Sequence, residues 1–331
     1  MKADSRDDLW PALPIDGWRD TYATLHRWTQ IVGKIRLALT PWLNHGWHVP
    51  LYVSVRGLRT SPIPYRGLEF EIEFDFIDHR LKIDLSDGRR DEIALRPRSV
   101  AEFHADLMAR LESLGVVVHI NERPSEIADA IEFSRDHEHA AYDAEYAHRF
   151  SRALLQADRV FKLFRTGFVG KASPVHFFWG SFDLAVTRFS GRLAPAFEGR
   201  TPGLALAVMR EAYSHELSSA GFWPGIPGEI DASFYSYAYP QPNGFQEARV
   251  APDEAYFHST LREFVLPYEA VRRAADPDSM LLTFLQSTYD AAADAGSWER
   301  ETLECSTGIP LVPTQPRWSP APRQTTREGA R

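Results

Sequence analysis

The sequence predicts an α+β protein, built from antiparallel sheets and long helices in two pseudo-repeated halves. Three observations predict this class. Apolar side chains recur every three or four residues in several long stretches, which is typical of helices that bury one face. Elsewhere they alternate with polar side chains, and turns rich in Asp and Gly separate the alternating stretches. Both features are typical of antiparallel meanders.

The first half, residues 1–120, opens with a helix predicted from Trp18 to Leu43. Asp16 stands where an N-cap would be, and Pro41 falls in the last turn. Alternation then predicts a meander in the stretches 48–58, 70–77, 80–85 and 91–95. A second helix should follow, because Ser99 and Glu102 have the spacing of a capping box and Gly115 is a stop signal. The stretch 116–120 is predicted to close this half as a strand.

The second half is predicted to repeat this plan over residues 143–304, with Asp143 capping its first helix. The repeated order predicts an internal duplication. Residues 121–142 have no clear period and are expected to form a linker over the surface. A segment at about 191–231 has no counterpart in the first half, and such insertions often carry sites. Residues 305–331 are rich in proline and predict a disordered or loosely docked tail.

Composition excludes several classes of protein. A formal net charge of −8 argues against nucleic acid as a partner, since binding to phosphates needs a basic face. The sequence contains no run of about 18 apolar residues, so a membrane span is not expected. The start of the chain lacks the apolar region of a secretory signal, and Cys305 is the single cysteine. A cytoplasmic protein is therefore expected.

Four long strings carry a resemblance to a known family: HRWTQIVGKIRLALTPW, SPVHFFWGSFDLAVTRFSGR, EAYSHELSSAGFWPG and FLQSTYDAAAD. From about Trp10 to Leu303 the chain resembles an uncharacterised bacterial family catalogued as a domain of unknown function. The resemblance implies one evolutionary unit of bacterial type. It implies no activity, so no residue receives a role from it.

The first candidate site is EAYSHE, residues 211–216. If 206–217 is helical, Glu211 and His215 share a face, and the carboxylate orients the imidazole. His215 would then serve as a general base or a metal ligand. The alternative is a helix C-terminus at which His215 meets the negative end of the dipole.

The second candidate is the aromatic stretch 174–189. On a regular strand His176 and Asp183 face opposite sides, whereas a bulge at Gly180 would bring them to the same side. Two interpretations remain open. One is an aromatic-lined ligand pocket, and the other is a buried strand with an ion pair between Asp183 and Arg188.

The third candidate lies on the first helix, where polar and small residues follow each other at steps of three and four beside the apolar stripe: His26, Thr29, Gly33, Arg36 and Thr40. The guanidinium of Arg36 could hold a carboxylate or phosphate in a pocket wall. The alternative is the ordinary border of an amphipathic helix.

Together these candidates predict a small-molecule enzyme or ligand-binding protein with an aromatic-lined His/Glu/Arg pocket between the two halves. The predicted catalytic residues are His215, Glu211 and His176. The predicted substrate-binding residues are Arg36, His26, Trp179, Asp183, Arg188 and Trp223.

A divalent metal, zinc or non-haem iron, could be held by His176, His215 and Glu216, or by Glu211 in place of Glu216, because two imidazoles and a carboxylate suit either ion. The alternative function is a non-catalytic protein-interaction module with an aromatic surface. Its members would be Trp179, Phe222, Trp223 and the tyrosines of FYSYAYP, residues 234–240.

Overall fold

The computed structural model describes residues 9–315, which form seven α-helices and two antiparallel sheets of six strands each. The predicted α+β class is confirmed. The helices are α1 (Arg19–Leu39), α2 (Val100–Ser113), α3 (Ala144–Thr166), α4 (Leu206–Ala212), α5 (Tyr268–Arg273), α6 (Pro277–Ala295) and α7 (Arg300–Leu303). The first sheet contains β1 (Tyr52–Val53), β2 (Gly57–Arg59), β3 (Ile63–Tyr65), β4 (Leu68–Asp75), β5 (Arg80–Leu85) and β6 (Arg90–Ala94). The second contains β7 (His176–Phe178), β8 (Asp183–Leu193), β9 (His215–Ile226), β10 (Ile230–Tyr239), β11 (Tyr256–His258) and β12 (Glu263–Pro267).

Helix α1 is shorter than predicted, and most of its residues are buried. Thr40 is extended, because a residue before proline disfavours the helical region, so the helix ends ahead of Pro41. Asp16 does not cap the helix. It lies in a short 3-10 turn and pairs with Arg19 instead. Residues 24–36 are buried without interruption, since the helix contacts parts of both halves.

The first sheet is the predicted meander, with strand order β1-β2-β4-β5-β6 and β3 beside β4. Helix α2 begins at the predicted capping box, in which Ser99 Oγ accepts the N–H of Glu102 at 3.2 Å and the Glu102 carboxylate accepts the N–H of Ser99 at 2.8 Å. Gly115 follows the helix with a φ of +82°. The predicted strand at 116–120 is wrong, because this stretch hydrogen-bonds to the Tyr65 hydroxyl and not to a neighbouring strand.

Residues 121–142 contain neither an α-helix nor a strand, yet part of this segment is buried. The side-chain amide of Gln30 accepts the N–H of Ser125 at 2.7 Å and donates to its carbonyl at 2.9 Å. The carboxylate of Asp136 lies 3.1 Å from the guanidinium of Arg27. The segment that joins the halves is therefore anchored to helix α1.

The second sheet has the strand order β11-β12-β10-β9-β8-β7. A turn at 179–182 divides the predicted aromatic strand into the hairpin β7–β8. Strand β9, which lies entirely within the predicted insertion at 191–231, pairs with both β8 and β10 and is thus central to the sheet. Backbone hydrogen bonds of 2.9 and 2.7 Å between Leu51 and Phe177 join the edges of the two sheets.

Each half carries helices before and after a six-stranded antiparallel sheet, although the strands are connected differently. The internal duplication stays a prediction. Of the predicted tail, residues 305–315 are described and contact the end of α3: the Cys305 thiol donates to the Thr166 carbonyl at 3.0 Å. Residues 316–331 of that tail lie outside the described residues. Within residues 9–315, every helix is too short or too polar to cross a membrane.

Candidate functional site

The register of the second sheet gathers polar side chains on one of its faces. Opposed residues of antiparallel strands point to the same side, and side chains alternate along each strand. Ala185 opposes Gly221, Gly221 opposes Tyr235, and Tyr235 opposes Val265. Two residues to one side of this row, the same face carries Asp183 on β8. Two residues to the other side, it carries Tyr237 on β10 and Glu263 on β12. The opposite face carries the apolar side chains that pack into the core, among them Leu184, Phe222, Phe234 and Leu266.

Asp183 is the most enclosed acid of this polar face, with 7% of its surface exposed. Its carboxylate accepts hydrogen bonds from the hydroxyls of Ser181 and Tyr235. Burial raises the pKa of Asp183, while the two hydroxyl donors act in the opposite direction. Phe182, just before it, has a φ of +60°, which is unusual for an aromatic residue. The turn therefore holds Asp183 in place with a strained backbone.

Glu126 approaches Asp183 from the anchored segment 121–142. Its side chain packs against Gly180, where an added Cβ would lie 2.2 Å from Glu126 Oε1. Glu126 has a φ of +60°, and its N–H donates to the Pro202 carbonyl at 2.7 Å. Burial, and then the negative charge of Asp183, raise the pKa of Glu126 to about 7.

Glu263 is the third acid and begins strand β12. Burial, and then the negative charge of Asp183, raise its pKa to about 8. None of the three acids forms an ion pair with a basic side chain of the described chain. Such carboxyl groups repel each other's charge, so the ionised form of each is disfavoured while its neighbours are ionised.

Tyrosines complete the site. The hydroxyls of Tyr213 and Tyr237 lie 3.1 Å apart, and the Tyr213 ring stacks on Phe197 with centroids 5.0 Å apart. Burial raises the pKa of Tyr235 and of Tyr237 well above the usual value, so both phenols stay protonated. We name this group the acid–tyrosine cluster, with members Glu126, Asp183, Glu263, Tyr213, Tyr235 and Tyr237.

Helix α1 borders the cluster through side chains spaced four residues apart. The charge of Asp183 acts on the Tyr22 phenol, whose pKa burial raises to about 12. The imidazole of His26 lies 2.8 Å from the Gly180 carbonyl, which only accepts, so that ring nitrogen donates. Burial lowers the pKa of His26 to about 4, and the ring is neutral at pH 7. His26, predicted to bind substrate, therefore holds the turn that carries Asp183.

The helix predicted at 206–217 is wrong beyond Ala212. His215 begins β9 instead, because pairing with β8 and β10 at the centre of the sheet outweighs the local preference for helix. Glu211 and His215 consequently do not share a helical face. The Glu211 carboxylate accepts the backbone N–H of His45 at 3.1 Å, and the His45 ring lies 5.8 Å from the ring of His215.

The predicted metal ligands do not come together. His176 opposes Ala185, which opposes Gly221, six residues along β9 from His215. At about 3.3 Å per residue this separates the two histidines by roughly 20 Å. Glu216 instead accepts hydrogen bonds from Ser190 and Arg192 at 2.9 and 2.8 Å. Across residues 9–315, no group of three or more His, Cys, Asp and Glu side chains is arranged to hold a metal ion.

His176 is enclosed in the protein with 1% of its surface exposed. Burial, followed by the nearby Arg36 guanidinium, lowers its pKa to about 3. The hairpin register places it on the same face as Asp183, through a turn and not through the predicted bulge. A ring that is neutral and enclosed in this way is poorly suited to the predicted role of catalytic acid.

The two arginines predicted to bind an anionic substrate are both buried. Arg36 donates through Nε to the His48 carbonyl at 2.6 Å, and its guanidinium lies 5.3 Å from the Tyr52 ring centroid. Arg188 points to the opposite face of β8 from Asp183, so the predicted ion pair between them does not form. Its guanidinium lies 3.5 Å from the centroid of the Phe164 ring.

The predicted aromatic residues divide between core and site. The indole of Trp179 is buried against Gly33 and donates to the Val49 carbonyl at 2.9 Å. Phe222 is buried and Trp223 is partly buried, so these rings do not form the exposed surface that an interaction module needs. Of the FYSYAYP tyrosines, two instead belong to the acid–tyrosine cluster.

Sequence reasoning missed Glu126, Glu263 and Tyr213. A usable signal was the alternation of tyrosines at 235 and 237, which predicts a shared face once 230–239 is a strand.

Two open depressions elsewhere on the surface, of about 420 and 460 Å³, are not lined by any predicted site residue.

Comparison with known proteins identifies a family but no activity. No curated protein and no solved structure matches the chain. The model of a family of unknown function, DUF5996, matches residues 10–305. This range contains every member of the acid–tyrosine cluster, and the chain belongs to the DUF5996 family.

Proposed function

We propose that the protein binds a small organic molecule with a positively charged amine or guanidinium group at the acid–tyrosine cluster, and that Glu126 and Glu263 exchange protons with it. The observation that carries the proposal is the convergence of three carboxyl groups from separate segments, none paired with a basic side chain of residues 9–315. A bound cation favours the ionised form of all three groups. A cationic ligand supplies that charge.

The tyrosines support a ligand of this class. Phenol rings attract an organic cation through their faces, by about 0.5–2 kcal/mol for each good contact. Tyr213 and Tyr237 also offer hydroxyls that can donate to or accept from a polar ligand. The position of Tyr22 and His26 beside the cluster supports a pocket between helix α1 and the second sheet.

Proton transfer is supported by the pKa values of two acids. A group transfers protons best at neutral pH when its pKa is near 7. The pKa values of about 7 for Glu126 and about 8 for Glu263 fall in this range. Asp183, with two hydroxyl donors, is the acid best suited to stay ionised and face the ligand's positive charge.

We also propose an origin, a cellular compartment and an evolutionary history for the chain. A bacterial, cytoplasmic protein is supported by the family resemblance and by the single cysteine. An internal duplication is supported by the order of helices and strands that the halves share.

Thermal unfolding with a small panel of cations tests the proposed function. Agmatine, spermidine and choline are compared with uncharged alcohols of similar size. A ligand present at 100 times its dissociation constant stabilises the folded state by about 2.7 kcal/mol, which is a measurable rise in melting temperature. We expect at least one cation to produce this rise in the wild type and not in Asp183→Asn.

The matched control is Glu132→Gln, because the Glu132 side chain lies in the same segment as Glu126 but is 51% exposed. This variant should respond to the cation as the wild type does. The proposal fails if no cation stabilises the protein more than its alcohol counterpart, or if Asp183→Asn responds normally.

A further inference from the structure

A lysine and a histidine contact each other away from the acid–tyrosine cluster. Lys171 Nζ lies 2.6 Å from His45 Nε2. The other ring nitrogen, Nδ1, lies 3.3 Å from the carbonyl oxygen of Ala212, which can only accept. Nδ1 therefore carries the ring proton, and the lone pair of Nε2 accepts from the Lys171 amine. Two basic groups at this distance do not both hold a full charge.

Both partners are held in position by the backbone. His45 has a φ of +58°, and its N–H donates to the Glu211 carboxylate at 3.1 Å. The Lys171 carbonyl accepts the N–H of Phe189 at 3.0 Å, which fixes its segment to β8. The His45 ring is buried, whereas Lys171 reaches solvent. The amine is thus accessible while the imidazole beneath it is fixed.

Burial and two aromatic rings act on the charge of Lys171 in opposite directions, because burial disfavours the ammonium and the ring faces attract it. Its ammonium lies 5.5 Å from the Trp47 ring centroid and 5.1 Å from that of Phe189. Burial lowers the pKa of Lys171, and the Glu211 charge opposes this. Burial, and next the Lys171 charge, lower the pKa of His45, with His215 acting in the same direction and Glu211 in the opposite one.

The other lysines of the described chain have different surroundings. Lys82 and Lys162 are each paired with a carboxylate, Asp75 and Asp158, and Lys34 is buried. Lys171 forms no ion pair with a carboxylate of residues 9–315. It differs from them in combining exposure, an imidazole acceptor and aromatic neighbours.

We propose that Lys171 is a nucleophilic amine that forms an imine with aldehydes, and that His45 is its proton acceptor. The neutral amine attacks the aldehyde carbon and forms a C–N bond, while the C=O π electrons move to oxygen. His45 Nε2 carries two protons in turn from the nitrogen to that oxygen: the first converts the alkoxide to a hydroxyl, and the second lets the hydroxyl leave as water while the nitrogen lone pair forms the second C–N bond. Water leaves, and a C=N bond remains. The rings of Trp47 and Phe189 favour an aromatic aldehyde.

Reductive trapping with benzaldehyde tests this inference. Sodium cyanoborohydride converts the imine to a stable secondary amine, and peptide mass spectrometry gives the labelling rate at each of the five lysines of the sequence. At pH 7 we expect Lys171 to react at least about tenfold faster than Lys162, a modest part of what a positioned base contributes. Lys162 is the matched control, since its side chain is 61% exposed but paired with Asp158.

His45→Asn supplies the second measurement, because Asn tolerates the left-handed backbone of this position but lacks the imidazole. Labelling of Lys171 should fall to the rate of Lys162 in this variant. Asp183→Asn should label as the wild type does, so failure of the proposed ligand site leaves this inference intact. Equal rates at Lys171 and Lys162 in the wild type would overturn it, whether or not the His45 variant folds.

Discussion

Replacing Glu126 with Gln should stabilise the protein at pH 8 and much less at pH 5. The pKa of Glu126 is about 7 in the folded protein, against 4.5 as the ordinary value. Between these values the folded protein keeps a proton that the unfolded chain has released. The stability that this proton contributes is complete below pH 4.5 and is lost as the pH rises through 7.

The size of the effect follows from the two pKa values. Their difference, at about 1.4 kcal/mol for each pH unit, amounts to about 3 kcal/mol at pH 8 and about 1 kcal/mol at pH 5. Gln has nearly the same shape as a protonated Glu and never ionises. The variant therefore escapes the loss that the wild type suffers as the pH rises.

Urea unfolding of both proteins at pH 5 and pH 8 measures this difference. We expect Glu126→Gln to be more stable than the wild type at both, with an advantage about 2 kcal/mol larger at pH 8. Glu132→Gln, in the same segment, should change stability by less than about 0.5 kcal/mol at either pH. An advantage of Glu126→Gln that is absent, or equal at the two pH values, would refute the reasoning.

Three substitutions test the packing that positions the cluster. Gly180→Ala would place a Cβ 2.2 Å from the Glu126 carboxyl and displace it. The stability of the free protein should change little, because the carboxyl end can move, but stabilisation by a cation should be lost in thermal unfolding. Gly33→Ala would place a Cβ 2.2 Å from the buried indole of Trp179, and urea unfolding should report a loss of about 1–3 kcal/mol. Asp136→Ala leaves Arg27 buried without its carboxylate and should lower the free energy of unfolding in urea by about 3–5 kcal/mol. Its control, Asp278→Ala, breaks an exposed pair with Arg159 and should lower the same free energy by less than about 1 kcal/mol.

The elements that the sequence predicted well are those fixed by local interactions. The capping box of Ser99 and Glu102 and the cap at Asp143 act within one helical turn, so both helix starts are visible in the sequence. The first meander was predicted for a similar reason, since its strands follow one another along the chain. His215 was misassigned because its strand depends on pairing with β8 and β10, which lie on either side of it.

The candidate site was less predictable, since distant segments form it. Asp183 was singled out from its aromatic surroundings, and His26 from its place on the first helix. Glu126 was assigned to a featureless linker, because nothing near it in the sequence reveals that Gln30 anchors Ser125 beside it. Glu263 reaches the cluster only through the register between β10 and β12.

The raised pKa values in the acid–tyrosine cluster lower the stability of the folded protein above neutral pH, and this penalty favours a role in binding. Glu126 carries both an ionisation penalty and a left-handed backbone, and such features concentrate at functional sites. A bound cation would favour the ionised acids and so offset the loss of stability at alkaline pH, where that loss is largest. At 100 times its dissociation constant it contributes about 2.7 kcal/mol, similar to the loss caused by Glu126 at pH 8. The ligand should therefore stabilise the wild type more at pH 8 than at pH 5 in urea unfolding with agmatine, spermidine or choline. Equal stabilisation at the two pH values would mean that the cation binds away from these acids.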